Sequence, residues 1–322
     1  MTVYLGIDIA SKKFDAALLR EGSYRCGSFD NSPAGFTALL AWINESESPE
    51  IHACLEDTGD YGTALATFLY EEKIKVSVVN PARIKGFGAA ELSRTKTDKT
   101  DSKLITRFCK AAEPEIWQPL TPPVRTLQAL VRRVDALNGM LRMECNRSES
   151  ADASVQDSLQ RITNYLKEEI ETIRKEIRNH ISINSELKRQ DALICSVPGI
   201  GGVTSAVILS FIVDKKFKKA KEVAAFLGLN PQQHQSGSSV RGKTRMSKMG
   251  CAHLRSALYM PALVALKHNP DIRAFGQRLR LAGKPGKLIV GAVMRKLIHI
   301  IFGVLRSGTV YRSQITGEPV LS

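Results

Sequence analysis

Four carboxylates stand where folding would gather them. Asp8 ends the apolar run Val3 to Ile9 within Gly6-Ile7-Asp8-Ile9-Ala10-Ser11, and Glu56 follows Ala53-Cys54-Leu55 in the same way. Carboxylates at the ends of neighbouring strands open on the crevice where a parallel or mixed sheet presents its side chains. Asp98 and Asp101, in Lys96-Thr97-Asp98-Lys99-Thr100-Asp101, precede a helical run from Lys103 to Ala111 and share a face of a first helical turn. Crowded hard acids repel unless a hard dication neutralises them, and an oxygen-only set selects Mg²⁺ or Mn²⁺ over zinc. Two such ions polarise a scissile phosphate and stabilise both the attacking and the leaving oxygen, which is nuclease or transesterase chemistry. Each acid alone has an ordinary use: Asp98 and Asp101 can cap a helix, and Asp8 can begin a turn. Asp57 and Asp60 belong to the turn after Glu56.

A second chemical locus is the segment Gln232-Gln233-His234-Gln235-Ser236-Gly237-Ser238-Ser239-Val240-Arg241-Gly242-Lys243-Thr244-Arg245-Met246-Ser247-Lys248. A flexible linker is rich in Ser and Gly, but it has no need of Arg241, Lys243, Arg245 and Lys248 beside hydroxyls. Those cations suit phosphates, and a serine activated by a base or metal can attack one. By chemistry alone Ser236, Ser238 and Ser239 are equal candidates, with His234 as a possible local base. Upstream, Cys195-Ser196-Val197-Pro198-Gly199-Ile200-Gly201-Gly202 lies between helical stretches like a helix-hairpin-helix element. Gly199 and Gly201 there would let backbone N–H groups approach a phosphate. Arg273, Arg278, Arg280, Lys284, Lys287, Arg295 and Lys296 extend a cationic path. Aromatic residues make up only 6%, which favours backbone electrostatics over base stacking.

The elements that must position these groups follow from periodicity. Val3 to Ile9, Phe14 to Leu19 and Tyr24 to Phe29 read as a three-strand meander; Ala34 to Ile43 as a helix, Ile51 to Leu55 as a strand, Gly62 to Glu72 as a helix, and Ile74 to Val79 as a strand ending at Asn80-Pro81. This is the order of an α/β RNase H-like fold. Beyond Pro119 and Pro122-Pro123, apolar residues recur at three and four: Val124, Leu127, Val131 and Val134, then Val155, Leu159, Ile162, Leu166, Ile170, Ile173, Ile177 and Ile181. The second series predicts a coiled coil, either an antiparallel pair within the chain or a dimer interface. The expected domains are 1–118 with the carboxylates, 119–190 a helical coiled-coil region, and 191–322 a mainly α basic domain.

The net charge is +14, and the segment from Gln190 to Ser322 carries 20 of the 46 Lys and Arg but only five of the 32 acids. An excess confined to one region is what a phosphate-neutralising surface requires and points to a polyanionic partner. Six cysteines are scattered singly, without zinc spacing. No apolar run approaches the roughly 20 residues of a membrane span, and the N-terminus does not read as a signal peptide; the expectation is a cytoplasmic protein that does not engage a membrane.

Gly6-Ile7-Asp8, Leu55-Glu56 with Thr58-Gly59, Asn80-Pro81, Lys96-Thr97-Asp98 through Asp101, Pro198-Gly199-Ile200-Gly201 and Ser236-Gly237-Ser238-Ser239-Val240-Arg241-Gly242 together resemble the DEDD transposases of insertion sequences. These are related to Piv-type DNA invertases and include bridge-RNA-guided serine recombinases. The resemblance spans nearly the whole chain. It implies a RuvC-type N-terminal domain with Asp8, Glu56, Asp98 and Asp101 as Mg²⁺ ligands, a C-terminal transposase domain, and Ser236 as the nucleophile. It further implies a homo-oligomer, dimer or tetramer, in which carboxylates of one protomer and the serine of another form a composite site. A noncoding guide RNA would select donor and target DNA. The expected activity is strand cleavage and exchange through a phosphoserine link. The competing readings are a junction-resolving metal nuclease without a covalent intermediate and a non-catalytic nucleic-acid-binding scaffold.

Overall fold

A computed structural model describes residues 2–44, 50–57, 59–91, 98–233, 235–236, 240–241 and 245–315. The chain separates into two units, Met1–Pro119 and Leu120–Ser322. In the first, β1 (Val3–Ile9), β2 (Lys13–Arg20) and β3 (Ser23–Asp30) form the expected antiparallel meander, and β4 (Ile51–Glu56) and β5 (Lys75–Val79) extend the sheet in parallel, in the order β3-β2-β1-β4-β5.

Strand alternation divides the side chains of β1 between two layers. Val3, Leu5, Ile7 and Ile9 pack with Phe36, Leu39 and Ile43 of α1 (Pro33–Asn44) and with Leu65 and Leu69 of α2 (Thr63–Glu71). On the opposite face, Tyr4 and Cys54 join Ile84 of α3 (Pro81–Ala90) and Ile105, Phe108 and Cys109 of α4 (Asp98–Ala112). Burial on both faces is why these strands read as apolar runs. Helix α3 lies where the sequence showed only a strand end: Asn80 caps it, accepting from Ala82 N at 2.8 Å, and Pro81 supplies its first turn.

Helix α4 lies directly on β1. A Cβ at Gly6 would overlap the backbone of Ser102 and Thr106, and Thr106 Oγ1 sits 2.9 Å from Ala17 O. Because the crowding atoms are backbone, Gly6→Ala must lift the helix. We expect a loss of about 3 kcal/mol, at the upper end for overpacking, measured as a lowered urea midpoint of the N-terminal unit with little change in slope.

In the second unit, α5 (Pro122–Ser148) and α6 (Ala153–Ile183) form an antiparallel hairpin: Gln156 bonds to Ser148 across the turn, and His180 Nε2 lies 2.8 Å from Pro123 O at the other end. The apolar repeat thus closes within the chain. Leu166, Ile170, Ile173, Ile177 and Ile181 are buried, whereas Val155 and Ile162, nearer the turn, are 46% and 47% exposed. This hairpin shares one core with α7 (Ser185–Cys195), α8 (Gly202–Ile212), α9 (Ala220–Phe226), α10 (Ala252–Ala257), α11 (Tyr259–His268), α12 (Pro270–Leu281) and α13 (Gly286–Ser307). Helix α13 corrects the expectation that no run approaches membrane-spanning length: its 22 residues are long and apolar enough by length and composition. Here Ile289, Val293, Met294, Leu297, Ile298, Ile301 and Val304 are buried in the unit's core, so its apolarity is that of a central helix.

The chain after α13 is tied to α12. Asp271 accepts from the Tyr311 phenol at 2.5 Å, the Ser313 hydroxyl at 2.9 Å and the N–H groups of Gln314 and Ile315 at 3.1 and 3.3 Å. Burial alone would push the Asp271 carboxyl up, but these four bonds outweigh it and hold the group below its ordinary range. With the folded value lowered, the stabilisation is complete above the unfolded value of roughly 4 and drains away as pH falls through the folded one. Asp271→Asn is expected to cost about 1 kcal/mol at pH 7, modest because the carboxylate is only half-buried. In urea melts the gap to the parent protein should narrow steadily as pH is lowered below the ordinary aspartate value of roughly 4.

Candidate carboxylate and serine sites

The β1–β4 register runs to Ile7 opposite Leu55, so the next position sets Asp8 beside Glu56. Both are even-numbered, on the face that carries Tyr4, Gly6 and Cys54 and is covered by α4. Both are half-buried. Helix α4 runs against β1: Thr106 sits at the level of Gly6, while Cys109 Sγ approaches His52 O at 3.6 Å, level with Tyr4. Its N-terminus therefore lies toward the strand ends that hold the two acids. Asp101, half-buried in the first turn of α4, lies on that side, and Asp98 is the helix's first residue. The Asp98 side chain falls outside the described residues. The positive end of the helix dipole favours carboxylates there.

One carboxylate escaped the sequence reading. Asp15 of β2 pairs directly with Asp8 in the antiparallel register, so it projects from the same face. It is only 8% exposed and lies 3.5 Å from Lys13 Nζ. Asp15, Asp8 and Glu56 thus form a lateral row on three adjacent strands. The available signal was an acid inside Phe14-Asp15-Ala16-Ala17-Leu18-Leu19, a stretch apolar enough to be buried on both faces. Asp57, whose N–H donates to Val79 O at 2.8 Å, is an exposed turn residue; nothing is described of the Asp60 side chain.

The serine segment is a two-tier hairpin. Its stem pairs β6 (Pro231–Gln232) with β9 (Arg245–Met246); farther out, β7 (Gln235–Ser236) pairs with β8 (Val240–Arg241), placing Ser236 opposite Val240. Among the described residues Ser236 is thereby the outermost paired position of its strand. His234, Ser238, Ser239 and Lys243 lie outside the described residues, as do the side chains of Ser236 and Arg241. Arg245 and Lys248 are exposed, as are Arg273, Arg278, Arg280, Lys284, Lys287 and Lys296, while Arg295 is half-buried.

The two glycines before α8 differ. Gly199 has φ +103°, and a Cβ there would press on Ala265 at 2.8 Å, so helix packing already accounts for it. Gly201 has open space around it and begins α8 with no side-chain cap. The first turn of α8 borders a cavity of about 520 Å³ lined in part by Arg142, Arg174, Arg178, Gly202 and His253. Arg174 and Arg178 both approach Glu171, at 3.9 and 2.8 Å.

Residues 5–178 match the DEDD transposase model of IS110 elements, and residues 191–277 match the model described as Transposase IS116/IS110/IS902 family. The pilin gene-inverting protein of Moraxella bovis is 33% identical over 316 residues, covering 97% of this chain and 98% of its own. The chain belongs to the IS110 transposase family. The transposase for insertion sequence element IS1328 of Yersinia enterocolitica is 29% identical across 46% of this chain and 44% of its own, and the 43.6 kDa protein of insertion element IS110 from Streptomyces coelicolor is 29% identical across 44% and 35%. As a member of this family the protein is a DNA-binding enzyme of transposition and recombination, its N-terminal unit an RNase H-like domain of the metal-dependent nuclease type. The first match contains all the carboxylates above and the second contains the serine hairpin.

Proposed function

We propose that this IS110-family transposase cleaves and exchanges DNA strands through a phosphoserine intermediate on Ser236, with Asp8, Glu56, Asp98 and Asp101 holding Mg²⁺. The observation that carries the reading is the placement of Asp8 and Glu56 side by side at the strand ends toward which the first turn of α4 points. The donor set fits a hard cation, being carboxylate oxygens only. The Cys109 thiol, on the same face but level with Tyr4 at the other end of β1, is pushed far up by its hydrogen bond with Cys54 and by burial, and so stays protonated. Among the described residues no group of three His, Cys, Asp or Glu side chains is close enough to hold a metal, and the fourth acid, Asp98, is not described beyond its backbone. When bound, a divalent cation supplies charge neutralisation at the scissile phosphate.

In the step proposed, Ser236 Oγ loses its proton and bonds to phosphorus as one bridging P–O bond breaks, its oxygen leaving as a DNA hydroxyl. A hydroxyl from the second DNA end then displaces Oγ, restoring the serine and a phosphodiester. Arg241, Lys243, Arg245 and Lys248 balance phosphate charge beside it, and Gly201 at the start of α8 offers backbone N–H groups to DNA. Selection of donor and target by a noncoding RNA, and a dimer or tetramer in which different protomers supply carboxylates and serine, are supported by the resemblance to bridge-RNA-guided members. The test incubates the protein with Mg²⁺, RNA transcribed from the DNA flanking its gene and labelled element-end DNA. A covalent protein–DNA band on a denaturing gel is expected; cleavage without such a band would favour the hydrolase.

A further inference from the structure

Each ladder of the serine hairpin is only two residues long on each strand, and Pro231 and Gln232 of the stem are exposed. Ladders this short do not hold a geometry unaided, so the direction in which Ser236 is offered must be set where the hairpin joins the helices. There, backbone bonds link the two feet: Ser247 N to Asn230 O at 2.9 Å, Lys248 N to Gly228 O at 3.1 Å and Cys251 N to Phe226 O at 2.8 Å.

Two arginines from different helices fasten this junction. Arg255 of α10 donates through Nη1 to Leu227 O at 2.9 Å and Lys248 O at 3.2 Å, one acceptor on each foot. Arg295 of α13 donates to Asn230 Oδ1, the residue just before the stem. The approach of Arg255 is close enough that a Cβ at Gly228, φ +67°, would stand 2.9 Å from Nη1. On the other strand, Met246 Cε lies 2.7 Å from where a Cβ on Gly291 of α13 would be, so the stem rests on the same helix that carries Arg295. Among the described residues neither guanidinium pairs with a carboxylate; both charges are spent on neutral acceptors of the hairpin's feet.

We propose that Arg255 and Arg295 are positioning residues of strand transfer, clamping the two feet so that Ser236 meets the phosphate in line. The proposal rests on Ser236 as nucleophile. An ångström of misplacement in a reacting group slows chemistry by roughly 10²-fold, whereas a contact to DNA phosphate would act on affinity and its salt dependence.

The test measures the rate of covalent adduct formation, the DNA concentration for half-maximal rate and the thermal midpoint, with the full-length protein, Mg²⁺, flanking RNA and element-end DNA. Arg255→Gln and Arg295→Gln are each expected to lower the rate at saturating DNA by about 10- to 100-fold, with the half-saturating concentration unchanged within about twofold. Arg295→Lys, which keeps a donor for Asn230, should recover most of the rate. Where an arginine variant does not fold, Asn230→Ala removes the acceptor from the other side and carries the same expectation. Asn230→Ala combined with Arg295→Gln should be no slower than the slower single variant. An unaltered rate in the Gln variants, or a loss confined to DNA affinity, overturns the proposal. Failure of the Ser236 reading is separately visible, since Ser236→Ala would then still form adduct.

Discussion

Ser236→Ala is expected to leave the transposase able to bind element-end DNA with the parent's salt dependence but unable to form a covalent adduct, with strand exchange falling on the order of 10⁴-fold or more, as when the nucleophile of a catalytic unit is deleted. The two effects separate because they have different origins. Affinity comes from counterions released by Lys and Arg, whose excess over acids lies in the segment from Gln190 to Ser322, and a neutral hydroxyl contributes nothing to it. The adduct requires one oxygen. Ser238→Ala and Ser239→Ala are the necessary companions, since their hydroxyls are chemically equivalent; both should retain the adduct. Its loss in Ser238→Ala instead would move the assignment to that residue. DNA left intact by the parent protein, despite tight salt-sensitive binding, would favour the scaffold reading.

The carboxylates carry the second large effect. Asp8→Asn preserves shape and removes one charge from the row Asp15, Asp8 and Glu56, and cleavage is expected to fall on the order of 10³-fold; Glu56→Gln should behave alike. The distinguishing readout is thermal. Mg²⁺ that binds the folded state stabilises the parent by about 2.7 kcal/mol at a hundredfold excess over its dissociation constant, and the variant should lose that rise. An Asp8→Asn protein that still gains the Mg²⁺-induced shift would show that Asp8 is not a ligand.

Much of this architecture was legible in the residues. Strand and helix alternation through Val79 followed from local apolar spacing, and the acids at the ends of β1 and β4 were marked by polar residues closing apolar runs. Helix α3 was missed although Asn80-Pro81 is a cap followed by a first-turn proline, because the same dipeptide also ends a strand. The apolar repeat of α6 permitted either an internal pair or a partner subunit, since side-chain spacing is the same against any apolar surface. The short turn, with Gln156 bonded to Ser148, closed it on α5.

The sequence by itself determined the order of elements, the confinement of net positive charge to the C-terminal segment and the chemistry available at four acids and a serine cluster, because periodicity, charge and functional groups are properties of neighbouring residues. Only the tertiary structure decided which acids stand together, bringing Asp15 beside Asp8 through an antiparallel register that no local pattern specifies. It also separated Gly199, pressed against α11, from the open Gly201, turned the apolar α13 into a buried core helix, and brought Arg255 and Arg295 to the feet of the serine hairpin. These are contacts between residues distant in the chain, set by which faces the packed layers bury.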